Sequence, residues 1–252
     1  MGEKSFTAAR RLRWALGFAL LLLALALFFV WSLMSGSVAL RAGEVLSAVL
    51  SGGGSDLAAD VIWKIRLPRL LAGMVLGGAL ALSGYLLQVF FHNPIAGPFV
   101  LGISSGAKLM VALALIFVLR QHRMASAAFL ILAAFAGAML SMAFVLLMAR
   151  RVRGMSMLVI SGMMIGYICS AITDFVVTFA SDADIVNLHN WSMGSFSGMS
   201  WDNVRVMTAV VAAAGVGSFL LAKPIGAFQM GEDYAQSVGV PLKALRYLLV
   251  LL

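Results

Sequence analysis

The stretch Trp14–Met34 carries no charged residue and is apolar almost throughout. A helix needs roughly 20 such residues to cross the hydrocarbon core of a bilayer, and backbone in lipid must satisfy its own hydrogen bonds. The run therefore predicts a membrane-spanning helix. Lys4, Arg10, Arg11 and Arg13 precede it, as in a signal peptide, and Ser37-Val38-Ala39 loosely resembles a cleavage site. A signal core runs only about 7–15 residues, which favours an uncleaved first helix with its N-terminus in the cytoplasm. Hydrophobic residues make up 62% of the chain and charged residues 11%, against about 25% charged in a soluble domain. A fold in water cannot hide that much apolar surface, so a soluble enzyme, a disordered tail and a secreted disulfide scaffold are excluded. Cys169, the single cysteine, cannot form an internal disulfide. The net charge of +8 does not point to nucleic acid, because the basic residues sit in short runs between apolar segments.

Further spans are expected at Leu70–Phe91, from Gly106 to about Leu119, at Met124–Ala149, Met155–Phe179 and Val204–Ala222, with a seventh beginning at Ala244. Residues 35–60 read as an outside loop with Gly52-Gly53-Gly54, Asp56 and a short helix at Ala42–Leu50. Leu188–Trp201 reads as a short outer helix, and Lys223–Lys243 as a long cytoplasmic loop. This topology puts Lys4, Arg10, Arg11, Arg13, Arg150, Arg151, Arg153, Lys223, Lys243 and Arg246 inside. It puts Arg41, Lys64, Arg66, Arg69, Arg120, Arg123 and Arg205 outside, a modest positive-inside bias. The outside arginines near 66 and 69 ask for a reason other than topology.

Gly73-x-x-x-Gly77 is a small-xxx-small surface that lets helices approach closely. Asn93-Pro94 and Gly97-Pro98 break any helix between His92 and Lys108. That segment is either an ordinary cytoplasmic turn or a broken helix of the kind that marks a transport pathway. Lys108 lies a few residues into the third span, where it either serves function or snorkels to the interface. Asp174 has the same ambiguity at the outer face. Gly102-Ile103-Ser104-Ser105-Gly106 matches a hydrolase nucleophile pattern, but no strand precedes it and no histidine is placed as its base. His92, His122 and His189 lack metal-ligand spacing, and no phosphate-binding loop is present. No catalytic residue, metal or cofactor is expected.

Ile65-Arg66-Leu67-Pro68-Arg69, Gly77-Gly78-Ala79-Leu80-Ala81-Leu82-Ser83-Gly84, Asn93-Pro94-Ile95-Ala96, Leu101 to Ala107, Trp191 to Phe196 and Met230 to Val240 occur in one order along the chain. Together they resemble the FecCD-type permeases, the membrane subunits of ABC importers for iron-siderophores, haem and vitamin B12. The resemblance implies an all-α polytopic membrane protein with the type II ABC importer permease fold, a ten-helix family of which six to seven helices are present here. It implies one permease domain over residues 1–252 in the bacterial cytoplasmic membrane. The partners it implies are a second permease subunit, identical or paired, two cytoplasmic ATPase subunits and an extracytoplasmic substrate-binding protein. The cargo it implies is an iron chelate, a siderophore complex first, with haem or cobalamin as alternatives. The chain stops at the start of the seventh helix, which reads as a C-terminally truncated member. An ion- or proton-coupled secondary transporter is the alternative class; it needs an intramembrane carboxylate, for which Asp174 is the only candidate.

The resemblance also implies site residues. Arg66 and Arg69 match arginines that meet carboxylates on the binding protein, a pairing suited to the guanidinium fork; lipid headgroups are the other partner such arginines take. Pro68 between them is expected to start the second span. Asn93, Pro94, Gly102, Ser104 and Gly106 shape the translocation path, with Lys108 a departure from the family pattern. Gly231, Glu232, Ala235 and Gly239, within the 223–243 segment, form the loop that docks on the ATPase, Gly239 ending its short helix. Trp191 and Trp201 lie near the path entrance or anchor the interface.

Overall fold

The computed structural model describes residues 2–52, 57–119, 127–149, 151 and 155–252. Arg120, His122, Arg123, Arg150, Arg153, Gly53, Gly54 and Asp56, used above to place loops, lie outside the described residues. The described elements are helical: α1 (Gly2–Met34), α2 (Ala42–Leu50), α3 (Leu57–Asp60), α4 (Leu67–Phe90), α5 (Ile103–Leu119), α6 (Ala127–Ala149), α7 (Met155–Val177), α8 (Asp182–Met193), α9 (Trp201–Leu220), α10 (Ala222–Gln229), α11 (Glu232–Ser237) and α12 (Leu242–Leu251). Among the described residues five helical stretches are long and apolar enough to cross a membrane: Arg10–Met34, Leu57–Phe90, Phe129–Met148, Val159–Val177 and Trp201–Leu220. The expected third span is shorter than these. It starts at Ile103, three residues before the expected Gly106, and its 17 residues measure about 26 Å at 1.5 Å per residue.

The chain packs as two compact units, Met1–Leu76 with Phe196–Ala209 and Gly77–Ser195 with Val210–Leu252. The first has a core of Leu33, Val45, Ala48, Ala59, Ile62 and Leu67, joined by Trp63 and Trp201. Both indoles are hydrogen-bonded, as half-buried tryptophans require: Trp63 Nε1 donates to the Ala48 carbonyl at 2.8 Å and Trp201 Nε1 to that of Trp63 at 2.7 Å.

In this unit Pro68 does not start the second span. Helix begins at Leu57, widens into a π turn over Val61–Arg66, and continues through a fully buried Pro68. Proline inside a helix loses an N–H and its ring presses on the carbonyl four residues back. The helix is widened just ahead of the proline, where the Leu67 N–H reaches the Ile62 carbonyl, five residues back.

In the second unit α5 packs against α6, α7 and α8. Val111, Ala112 and Leu115 form its core with Leu188 of α8, and Trp191 packs on them. The short helix expected over Leu188–Trp201 covers Asp182–Met193 instead. Ser181 and Asp184 form a capping box that sets its start, and Gly194, at φ 73°, ends it.

Candidate functional site

Arg66 and Arg69 are three residues apart, but the π turn separates their fates. Arg66 is buried, at 8% exposure. Its guanidinium donates to the carbonyls of Leu33, in the last turn of α1, and Val38. Those acceptors lie where α1 ends, and a cation is well placed at a helix C-terminus. Gly36 leaves the room: a Cβ there would stand 2.8 Å from an Arg66 nitrogen. Arg69 is exposed and donates to the Ser197 carbonyl at 2.9 Å. The two expected docking arginines thus divide into one that holds its own unit together and one that faces outward.

The turn segment after α4 is neither a free loop nor an open channel wall. Its Phe91, Ala96 and Leu101 are buried against Met142 and Val145 of α6, so protein covers one side of the irregular backbone. Ile95 and Phe99 remain exposed on the other side. Asn93 shapes the first turn: its Oδ1 accepts the Ile95 N–H at 2.9 Å. With Tyr85, Gln88, Val89, His92 and Gln229, Asn93 and Pro94 line a cleft of about 340 Å³.

Gly102 and Gly106, expected to shape the path, are closed inside helix seams. A Cβ on Gly102 would stand 2.7 Å from both the Gly162 carbonyl oxygen and the Gly166 nitrogen of α7. On Gly106 it would stand 1.9 Å from Ser141 Oγ and 2.7 Å from the Gly137 carbonyl oxygen of α6. The partners themselves are spaced small-xxx-small, Gly162 with Gly166 and Gly137 with Ser141; that was the sequence signal for this contact. Ser104 between the two glycines is half-buried, and Lys108 is exposed on α5.

The 223–243 segment is not an open loop. It holds α10 and α11 and the start of α12. Ala235 is fully buried in a core with Leu86, Val89, Ile225, Phe228, Leu245 and Leu249, while Asp233, Tyr234 and Gln236 point outward. Glycines bound α11: Gly231 precedes it at φ 120° and Gly239 follows at φ 85°, conformations that side chains rarely adopt. Gly239 N–H donates to the Gln236 carbonyl and Val240 N–H to that of Ala235, the Schellman pattern, with Val240 packed on the core. Glu232 pairs with Arg246 of α12. The result is a short exposed helix on a rigid seat.

Sequence reasoning missed His92. It sits after α4 at φ 47°, the one non-glycine residue at positive φ among the described residues. Its ring meets the Phe228 ring at 4.5 Å, and its Nε2 lies 2.8 Å from the Phe228 carbonyl oxygen. A histidine in a turn gives no periodic signal, so only the fold shows this contact.

The five apolar helices of spanning length among the described residues, with irregular backbone packed between helices, define a polytopic membrane protein. The FecCD transport family description matches residues 22–252. Vitamin B12 import system permease protein BtuC of Salmonella paratyphi A is 36% identical over 241 residues, covering 96% of this chain and 69% of the relative. The protein of the same name from Salmonella typhi is 36% identical over 242 residues, covering 96% and 70%. A solved structure of a metal-chelate type ABC transporter in an inward-facing conformation superposes with a TM-score of 0.73 at 26% identity, covering 92% of this chain and 70% of that one. The chain belongs to the FecCD transport family. It is a multi-pass membrane permease of the ABC importer class, a transport subunit of the bacterial inner membrane.

Proposed function

We propose that this chain carries a metal chelate across the cytoplasmic membrane, driven by ATP hydrolysis in a separate cytoplasmic subunit that docks on α11. The observation that carries the reading is the geometry of α11: a glycine-bounded helix with Ala235 fully buried beneath it and Asp233, Tyr234 and Gln236 turned outward. A helix fixed on a core moves its support when it is pushed, which a solvated loop does not. The N-terminus is then cytoplasmic, in keeping with Arg10, Arg11 and Arg13 before the first span.

For the binding protein, Arg69 is the docking arginine. It is exposed, whereas Arg66 is committed inside. A second permease subunit, identical or paired, completes the importer in this reading. Asn93 and Pro94, which line the cleft after α4, and Ser104 and Lys108 on α5 are the candidates for the path. Vitamin B12 stands in the names of the 36% identical relatives and a metal chelate in that of the structural neighbour. On the support of these names we propose a corrinoid as the first cargo, with the ferric siderophore expected from the sequence as the second.

The test is uptake of labelled cyanocobalamin and of a labelled ferric hydroxamate by cells whose own importers are deleted and which carry this chain with its ATPase and binding protein. ATP-dependent accumulation of cyanocobalamin alone supports the corrinoid. Accumulation of the ferric chelate alone shifts the substrate, and accumulation of neither contradicts the chelate reading.

A further inference from the structure

His92 terminates two helices at once. At the end of α4 its own N–H donates to the Val89 carbonyl at 3.2 Å and the Asn93 N–H to that of Gln88 at 3.0 Å. This is a Schellman ending with His92 in the left-handed position. The same paired bonds recur at Gly102, from Gly102 N–H to Phe99 and Ile103 N–H to Pro98, and at Gly239. Both of those positions are glycine, with φ of 71° and 85°. A side chain in that conformation costs about 1 kcal/mol, so the histidine must gain its place through its ring.

The ring's partner explains the gain. Phe228 lies in the last turn of α10, where helix carbonyls have no intrahelical donor. Its carbonyl accepts the Gly231 N–H at 3.1 Å and faces His92 Nε2 at 2.8 Å. A carbonyl only accepts, so Nε2 carries the proton and donates. The imidazole also lies on the fully buried Phe228 ring. Gly231 is the residue from which α11 starts. One side chain therefore ties the end of α4, and the Asn93–Gly102 segment that follows it, to the carbonyl on which α11 is hung.

We infer that His92 is a positioning residue for transport, passing displacement of α11 through the Phe228 carbonyl to α4 and the Asn93–Gly102 segment; this rests on the reading of α11 as the ATPase-docking helix. Leu86, Val89, Phe228 and Ala235 share one core, to which the bond from His92 adds a directional contact. That contact fixes their register.

The experiment uses the full chain in complex with its ATPase partner, reconstituted in liposomes. Ile95→Cys places a thiol on the exposed side of the turn segment, and the native Cys169 is buried. The readout is the ratio of maleimide labelling rates with and without a non-hydrolysable ATP analogue. A neutral hydrogen bond is worth about 1 kcal/mol, so His92→Gly is expected to shrink that ratio about fivefold while thermal stability and ATPase affinity stay at the wild-type level. Glycine relieves the backbone and removes only the ring, which a purely structural role would register as neutral or stabilising. His92→Asn, also tolerant of the left-handed region, is the second variant. An undiminished ratio in either folded variant overturns the proposal, as does failure of both variants to fold. Tyr234→Arg separates the two readings. If it releases the ATPase while the wild type shows no nucleotide-dependent labelling, docking stands and the His92 role falls. If it leaves the ATPase bound, the docking reading fails and takes this one with it.

Discussion

At Gly73, Gly77, Gly78 and Gly84 of α4 an added Cβ meets no described atom within 4 Å, whereas at Gly102 and Gly106, before and within α5, it collides with the neighbouring helices. The two stretches look alike in sequence, and the α4 stretch has the more regular small-xxx-small spacing. Spacing permits close approach without supplying a partner. The second helix decides, and α6 and α7 carry complementary small residues at Gly137, Ser141, Gly162 and Gly166. Glycine at 102 and 106 is thus a packing requirement, while the glycines of α4 have no described neighbour that requires them.

The largest effect should come from the tightest seam. Gly137→Ala would set a Cβ 2.2 Å from the Gly106 carbonyl oxygen, and backbone cannot swing aside. Overpacking of this kind costs about 3 kcal/mol, read as a fall in thermal stability in detergent. Wild-type stability would mean that α5 and α6 are less close than described.

Next comes Arg66→Met, which keeps the volume but leaves the Leu33 and Val38 carbonyls without their donor. Unsatisfied buried acceptors should cost about 2 kcal/mol, with binding-protein affinity unchanged at low salt once the variant folds. Arg69→Glu should do the opposite, sparing stability and weakening that affinity. A loss of affinity in the Arg66 variant alone would reverse the assignment.

Gly36→Ala tests an intermediate case. Its neighbour is the tip of the Arg66 side chain rather than backbone, so the clash can relax, and a cost of about 1 kcal/mol by thermal unfolding is expected. The smallest change, and one of opposite sign, is Gly77→Ala. With open space around it, alanine should stabilise the helix by about 0.5–1 kcal/mol. Destabilisation would show that α4 has a close neighbour at this face.

Much of the fold was legible because membrane spans announce themselves. The charge-free run of α1 and the bounds of α2 follow from residue type alone, and Gly239 ends its helix by the chemistry a sequence can show. Other features depend on what lies across from a residue. Pro68 reads as a helix start because sequence cannot reveal a π turn widening the helix ahead of it. Arg66 and Arg69 read as equals because the carbonyls that take Arg66 lie at the end of another helix. The seams around Gly102 and Gly106 stay hidden in the sequence because they are made by residues 31 to 64 positions further on. Ser181-x-x-Asp184, by contrast, was a readable cap whose signal set the start of α8.

The most direct test of the account is whether α11 docks the ATPase. Binding of the purified ATPase subunit to the wild-type chain in liposomes should be compared with binding to Tyr234→Arg, which alters only the exposed face of α11. The account predicts a loss of about tenfold or more, the scale of a lost aromatic anchor, at unchanged stability of the permease. Equal binding by the two would contradict it.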